Sequence, residues 1–188
     1  MIKAAFVLYD GVTMLDFVGM YDPITRLKSM GFKEDLTWDI CGFTEHAADT
    51  NGLTVQVDKV RPSLAEYDLI LIPGGFSTRT LQSDPAFKDW LQTMNAKALI
   101  ASVCSGSLLL GGAGYLTDRK ATTHPNARTQ LKVYCNTSAE RVVDEGQIVT
   151  ARGVSSSIDL GLYLCRRFAG EKAAEAIKIQ MDYEGDLL

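Results

Sequence analysis

Four apolar runs, Ile2–Tyr9, Trp38–Phe43, Leu69–Ile72 and Ala98–Val103, are continuous rather than alternating, and helix-like segments separate them. A strand can be apolar on both faces only where helices cover both, as in a parallel sheet built from crossover connections. The pattern therefore predicts an α/β fold, a three-layer αβα sandwich around a mainly parallel sheet. Helices are predicted over Leu15–Met30, Pro85–Met94, Gly106–Ala113, Asn126–Tyr134, Ser157–Ala169 and Glu171–Met181, each opening near a turn or capping residue. Between Ile158 and Phe168 the apolar residues occupy more than one face, which sets that helix against the sheet and buries it on two sides. Leu53–Val57 alternates and reads as a strand nearer an edge. Arg141–Val143 and Ile148–Thr150, around Asp144-Glu145-Gly146, read as a hairpin.

The chain of 188 residues has no internal repeat, low-complexity tract or linker, so residues 1–188 are expected to form a single domain. Lys and Arg number 19 against 23 Asp and Glu, a net charge of −4, which disfavours a nucleic-acid surface. No run approaches the roughly 18 apolar residues of a membrane helix. Met1–Tyr9 lacks a small-x-small cleavage site after it and reads as a strand, not a signal peptide. Cys41, Cys104, Cys135 and Cys165 form no C-x-x-C pair, which argues against a zinc site or a disulfide framework and fits a reducing cytoplasm.

The strongest local signal is Ala98-Leu99-Ile100-Ala101-Ser102-Val103-Cys104-Ser105-Gly106-Ser107-Leu108-Leu109-Leu110, an apolar strand entering a helix through a cysteine. Ser102 and Gly106 stand two positions either side of Cys104, where a sharp strand-to-helix turn tolerates only small residues, the pattern of a nucleophile elbow. Free N–H groups and the positive end of the helix dipole predict that Cys104 favours the thiolate. The competing reading is a buried cysteine that merely ends a core strand.

Leu71-Ile72-Pro73-Gly74-Gly75 ends another buried strand, and ligands of parallel sheets bind at the carboxyl ends of strands. A bare N–H at Gly75 is expected to join that of Ser105 in an anion hole; an ordinary Pro-Gly-Gly turn is the alternative. Asp16, between apolar neighbours near the first helix start, is either the partner of Thr13 in a capping box or a desolvated carboxyl of raised pKa, suited to proton transfer and raised further by a nearby thiolate. His124 is the one histidine placed for a Cys–His couple, or else a hydrogen-bonded residue at a helix start. His46 lies in a polar loop, and Ser156-x-x-Asp159 reads as a helix cap.

Together the blocks Leu15-Asp16-Phe17-Val18-Gly19, Ile72-Pro73-Gly74-Gly75, Val103-Cys104-Ser105-Gly106-Ser107-Leu108-Leu109-Leu110, Ala113-Gly114-Tyr115-Leu116, Ala121-Thr122-Thr123-His124, and Gly153-Val154-Ser155 with Ile158-Asp159 resemble the ThiJ/PfpI superfamily over nearly the whole chain. The resemblance implies a flavodoxin-like sandwich similar to the class I glutamine amidotransferase fold, a homodimer and no cofactor. An Asp in the first block paired with the elbow cysteine is most similar to the isonitrile hydratase branch. Carried over, Cys104 is the nucleophile and Asp16 the acid/base, and Ser105 keeps the hydroxyl of the Thr common there. Met20, Pro125 and Arg152 depart from the usual Pro, Trp and Gly, which bears on substrate range more than on chemistry. Peptidase-like members carry His where Ser105 stands, and glyoxalase or deglycase-like members use Glu where Asp16 stands. Some AraC-type regulators share the core, but no DNA-binding helix pair is expected here. The expected partner is thus a small-molecule isonitrile, with an aldehyde-directed enzyme or a redox or metabolite sensor as alternatives.

Overall fold

The continuous apolar runs become the middle of a seven-stranded sheet in the computed structural model, which describes residues 1–187. In chain order the elements are β1 (Ile2–Leu8), α1 (Met14–Ser29), β2 (Leu36–Gly42), β3 (His46–Ala48), β4 (Thr54–Gln56), β5 (Lys59–Val60), β6 (Leu69–Ile72), α2 (Thr78–Leu81), α3 (Pro85–Leu91), β7 (Leu99–Val103), α4 (Gly106–Gly112), β8 (Lys120–Ala121), α5 (Arg128–Leu131), β9 (Asn136–Thr137), β10 (Val142–Asp144), β11 (Ile148–Ala151), α6 (Ser156–Ala169) and α7 (Glu171–Gln180). The sheet order is β10-β11-β7-β6-β1-β2-β5. Every pair is parallel except β10–β11 at one edge, the predicted hairpin. Residues 4–8 and all of β6, β7 and β11 are buried, which is why those runs show no polar alternation.

Helices α1, α6 and α7 pack on one another, and α4 packs on α2, α3 and α5. Right-handed crossovers account for the two groups: the connection from β1 runs to β2 in one direction, and that from β6 runs to β7 in the other, so their helices cover opposite faces. The reversal falls between β1 and β6, and a crevice opens there at the carboxyl ends of the strands. Helix α6 is buried along much of its length, as its sequence predicts. Its Ser157 hydroxyl donates to the Leu15 carbonyl at 3.1 Å and its Cys165 thiol to that of Pro23 at 3.2 Å, which ties it to the start and the middle of α1.

The structure corrects four local expectations. Leu53–Val57 does not run along the main sheet, because β4 pairs with β3 in a separate antiparallel ribbon and the exposed β5 forms the edge instead. His46 accordingly lies in a strand, still exposed. The helix predicted over Asn126–Tyr134 breaks into a 3-10 turn, Pro125–Ala127, and the short α5, since the chain must leave the helix to bring β9 alongside β8. Asp159 does not cap α6; its carboxylate accepts from Arg141 Nε and from the Tyr183 hydroxyl, each at 2.6 Å, and ties the helix to its neighbours.

Candidate active site

Cys104 occupies the turn between β7 and α4 with φ +56°, a left-handed conformation that costs a non-glycine residue about 1–3 kcal/mol. Several contacts over-determine it. Its N–H donates to the Arg152 carbonyl at 2.6 Å, and its own carbonyl accepts from Thr123 Oγ1 at 2.8 Å. Gly106 allows the elbow to close onto the end of β6, because a Cβ there would stand 2.6 Å from the Ile72 carbonyl oxygen. The sequence anticipates this need for a small residue at Gly106.

Asp16, in the first turn of α1, is fully buried. The capping-box arrangement does not form: Thr13 makes no side-chain cap bond, and Asp16 Oδ2 instead accepts the Gly74 N–H at 3.2 Å. Oδ1 is buried and has no hydrogen-bond partner of standard geometry. A Cβ on Gly74 would lie 2.7 Å from the Ser105 nitrogen, 2.8 Å from Cys104 Cβ and 2.9 Å from Asp16 Oδ2. The absent side chain of Gly74 is thus the point on which the loops after β1, β6 and β7 converge.

Burial raises the Asp16 pKa to about 7, against the smaller lowering effects of the Cys104 side chain and the Gly74 N–H. The thiol therefore helps to hold the carboxylate ionised rather than raising it, contrary to expectation. Burial, and next the negative charge of Asp16, push the Cys104 thiol up to about 12 against the Ser105 N–H that favours the thiolate. The expected resting thiolate is thereby corrected: a helix end of ordinary strength does not outweigh desolvation beside a carboxylate. Near neutral pH the pair is a thiol beside a carboxyl group poised between its two protonation states.

The bare N–H expected at Gly75 is engaged. It donates to Ser105 Oγ at 3.1 Å, and that hydroxyl donates to the Gly75 carbonyl at 3.0 Å. Ser105 thus laces the loop after β6 to the elbow, and its own N–H faces the sulfur, so the two amides do not form an open anion hole. Above Cys104 lies a hollow of about 170 Å³ lined by residues that follow five strands, among them Thr13, Phe76, Arg79, Ser105, His124 and Val154. His124 opens the 3-10 turn with Nδ1 accepting the Asn126 N–H at 3.1 Å. Burial, then the positive charges of Arg79 and Arg152, lower its pKa, which favours a neutral imidazole with the proton on Nε2. Among the described residues no hydrogen bond joins His124 to Cys104, and no three His, Cys, Asp or Glu side chains gather as metal ligands do. No helix among them is long and apolar enough to cross a membrane.

The sequence profile of the DJ-1/PfpI family matches residues 2–167. The chain belongs to the DJ-1/PfpI family. An isonitrile hydratase of Pseudomonas putida is 30% identical over 97% of this chain and 78% of that protein. Protein DJ-1alpha of Drosophila melanogaster is 30% identical over 60% of this chain and 53% of that one. The crystal structure of a ThiJ/PfpI family protein from Pseudomonas syringae superposes with a TM-score of 0.87 at 27% identity, over 98% of this chain and 76% of that chain. Within this DJ-1/PfpI domain, sequence reasoning singled out Cys104, Asp16, Gly75, Ser105 and His124, and missed three residues that shape the site. Gly74 stands beside the glycine singled out, Thr123 lies inside a quoted block, and Arg79 sits in a segment with no pattern of its own.

Proposed function

We propose that this protein hydrates an isonitrile, R–NC, to the N-substituted formamide, with Cys104 as nucleophile and Asp16 as acid and base. The observation that carries the reading is the convergence of the Cys104 side chain and the buried Asp16 carboxyl on one point beside Gly74. Because the resting nucleophile is a thiol, its proton must leave as the sulfur attacks. The Asp16 carboxylate beside it is the acceptor. Sulfur bonds to the terminal carbon, and Asp16 delivers the same proton to that carbon, giving the thioimidate R–N=CH–S–Cys104. The carboxylate then deprotonates a water that adds to this carbon, and the proton passes to nitrogen. Collapse to R–NH–CHO expels the sulfur, which recovers a proton. Charge develops on carbon and nitrogen rather than on a carbonyl oxygen, so the chemistry does not require the anion hole that Ser105 closes off.

The hollow suits a small R group, since a cavity of about 150 Å³ accommodates benzene and this one measures about 170 Å³. The similarity to an isonitrile hydratase supports the same substrate class. A redox sensor needs an accessible, low-pKa cysteine, and the buried, up-shifted thiol of Cys104 favours the enzyme over that alternative. The four free cysteines accord with a reducing cytoplasm, and exposed Leu15 and Val18 on α1 accord with a homodimer, which light scattering tests. The decisive experiment mixes the purified protein with an aryl isonitrile and follows formamide. Formation by the parent and by neither Cys104→Ala nor Asp16→Asn is the expected result; full activity in Cys104→Ala would rule out the covalent route.

A further inference from the structure

The charged residue that lines the hollow is an arginine, in a chain whose net charge is −4. Arg79 lines it and lies with its guanidinium 5.4 Å from the centre of the exposed Phe76 ring. Arg152 adjoins Gly153, at which a Cβ would stand 2.4 Å from the His124 ring, and its carbonyl holds the Cys104 N–H. Both guanidinium charges reach His124, but Arg79 alone lines the hollow, Arg152 standing outside the lining. Neither is neutralised by an ion pair among the described residues: Arg79 stacks on Phe76, and Arg152 donates to the Ala139 carbonyl at 3.5 Å. No Asp or Glu lines the hollow. Asp16 is buried beneath it, and Asp49, in the neighbouring depression beyond Phe76, directs Oδ1 at the Asn51 and Leu53 amides of its own loop.

We propose that the substrate carries an anionic group, a carboxylate or an equivalent oxyanion, on the end remote from the reacting carbon, and that Arg79 holds it with the His124 Nε2–H while Arg152 adds its charge from outside the lining. Phe76 supplies a flat apolar wall for the body of the same molecule. Arginine suits this role because its guanidinium pairs an oxyanion through two parallel hydrogen bonds while its face stacks on an aromatic ring. The proposal rests on the hydratase reading for the reacting group but not for the charge.

The test separates the two. Cys104 is alkylated with iodoacetate and with iodoacetamide, and the rate ratio at the Cys104 peptide is read by mass spectrometry and normalised to that of 2-mercaptoethanol. The parent is expected to favour the anionic reagent, by a factor that shrinks with added salt and falls about ten-fold or more in Arg79→Gln and by less in Arg152→Gln. Arg79→Lys, which keeps the charge, retains part of the preference. In parallel, 4-isocyanobenzoate and 4-tolyl isonitrile are compared by their kcat/KM ratio in the same variants. Anionic preference in alkylation without hydration of either isonitrile upholds the proposal and overturns the hydratase reading. A normalised ratio near one in the parent, or one that Arg79→Gln leaves unchanged, overturns the proposal, whether or not isonitriles are hydrated.

Discussion

Asp16 and Cys104 face each other across the space that a side chain on Gly74 would fill, and each sets the protonation of the other. The thiol steadies the carboxylate, and the carboxylate raises the thiol. Two groups that would titrate independently in water thus form one proton-sharing unit, held together by an apolar enclosure.

Replacing Asp16 by Asn separates reactivity from catalysis. Removing the carboxylate removes a charge that raises the Cys104 pKa, so more thiolate is present at a given pH. Lost nucleophilicity offsets only part of that gain, leaving alkylation about three-fold faster for each unit by which the pKa falls. Isonitrile hydration in the same variant is expected to drop by about 10²–10⁴-fold, the usual worth of a general acid–base group. Stopped-flow alkylation and formamide assays on one preparation check both directions.

The pH profile follows from the same pair. Attack requires Asp16 ionised and Cys104 carrying its proton, so kcat/KM is expected to rise through about pH 7, where Asp16 titrates, and then to level off. A mechanism that used only free Cys104 thiolate would keep rising tenfold per pH unit toward about 12. Rates measured between pH 5 and pH 9, about the span over which the fold is expected to hold, distinguish the two shapes.

Stability carries the opposite sign. The folded state raises the Asp16 pKa from 3.8 to about 7, so it binds the carboxyl proton more tightly than the unfolded chain does. No penalty exists below the unfolded value. As pH rises through this window the buried carboxylate destabilises the fold progressively, by a few kcal/mol once ionised. Asp16→Asn is therefore expected to melt higher than the parent above pH 7 and to converge with it toward pH 4. Calorimetric melts of the two proteins across that range test this.

Gly74→Ala places a methyl group within 3 Å of Asp16 Oδ2, Cys104 Cβ and the Ser105 nitrogen. A displacement of about 1 Å at such a site costs on the order of 10²-fold in rate. The far-ultraviolet circular dichroism spectrum is expected to be unchanged while activity falls by that amount. A variant as active as the parent would show that the two groups need not converge here.

Sequence reading reached the parts of the molecule whose causes are local. β1, β6 and β7 are visible as continuous apolar runs because both faces are covered, and the Cys104 elbow because the turn itself demands small neighbours. Helix α2 and strands β3, β5, β8 and β9 span two to four residues, too few for a hydrophobic period to show, and tertiary neighbours decide them. Arg79, in the segment 76–81, carries no pattern of its own for that reason. The protonation of Cys104 departs from what its sequence suggests because a helix end is a local feature whereas burial is not. Asp16 escaped the same fate because its apolar flanks already announce desolvation.

The left-handed backbone at Cys104 has a consequence for how such a protein drifts over generations. Glycine would occupy φ +56° without strain, so Cys104→Gly is expected to be more stable than Cys104→Ala by about 1 kcal/mol, reversing the usual order of the two residues; chemical denaturation measures it. A lineage released from its chemistry and selected only to stay folded would therefore lose this cysteine early. A cysteine that persists at this turn is maintained by what its sulfur does, in opposition to what its backbone prefers.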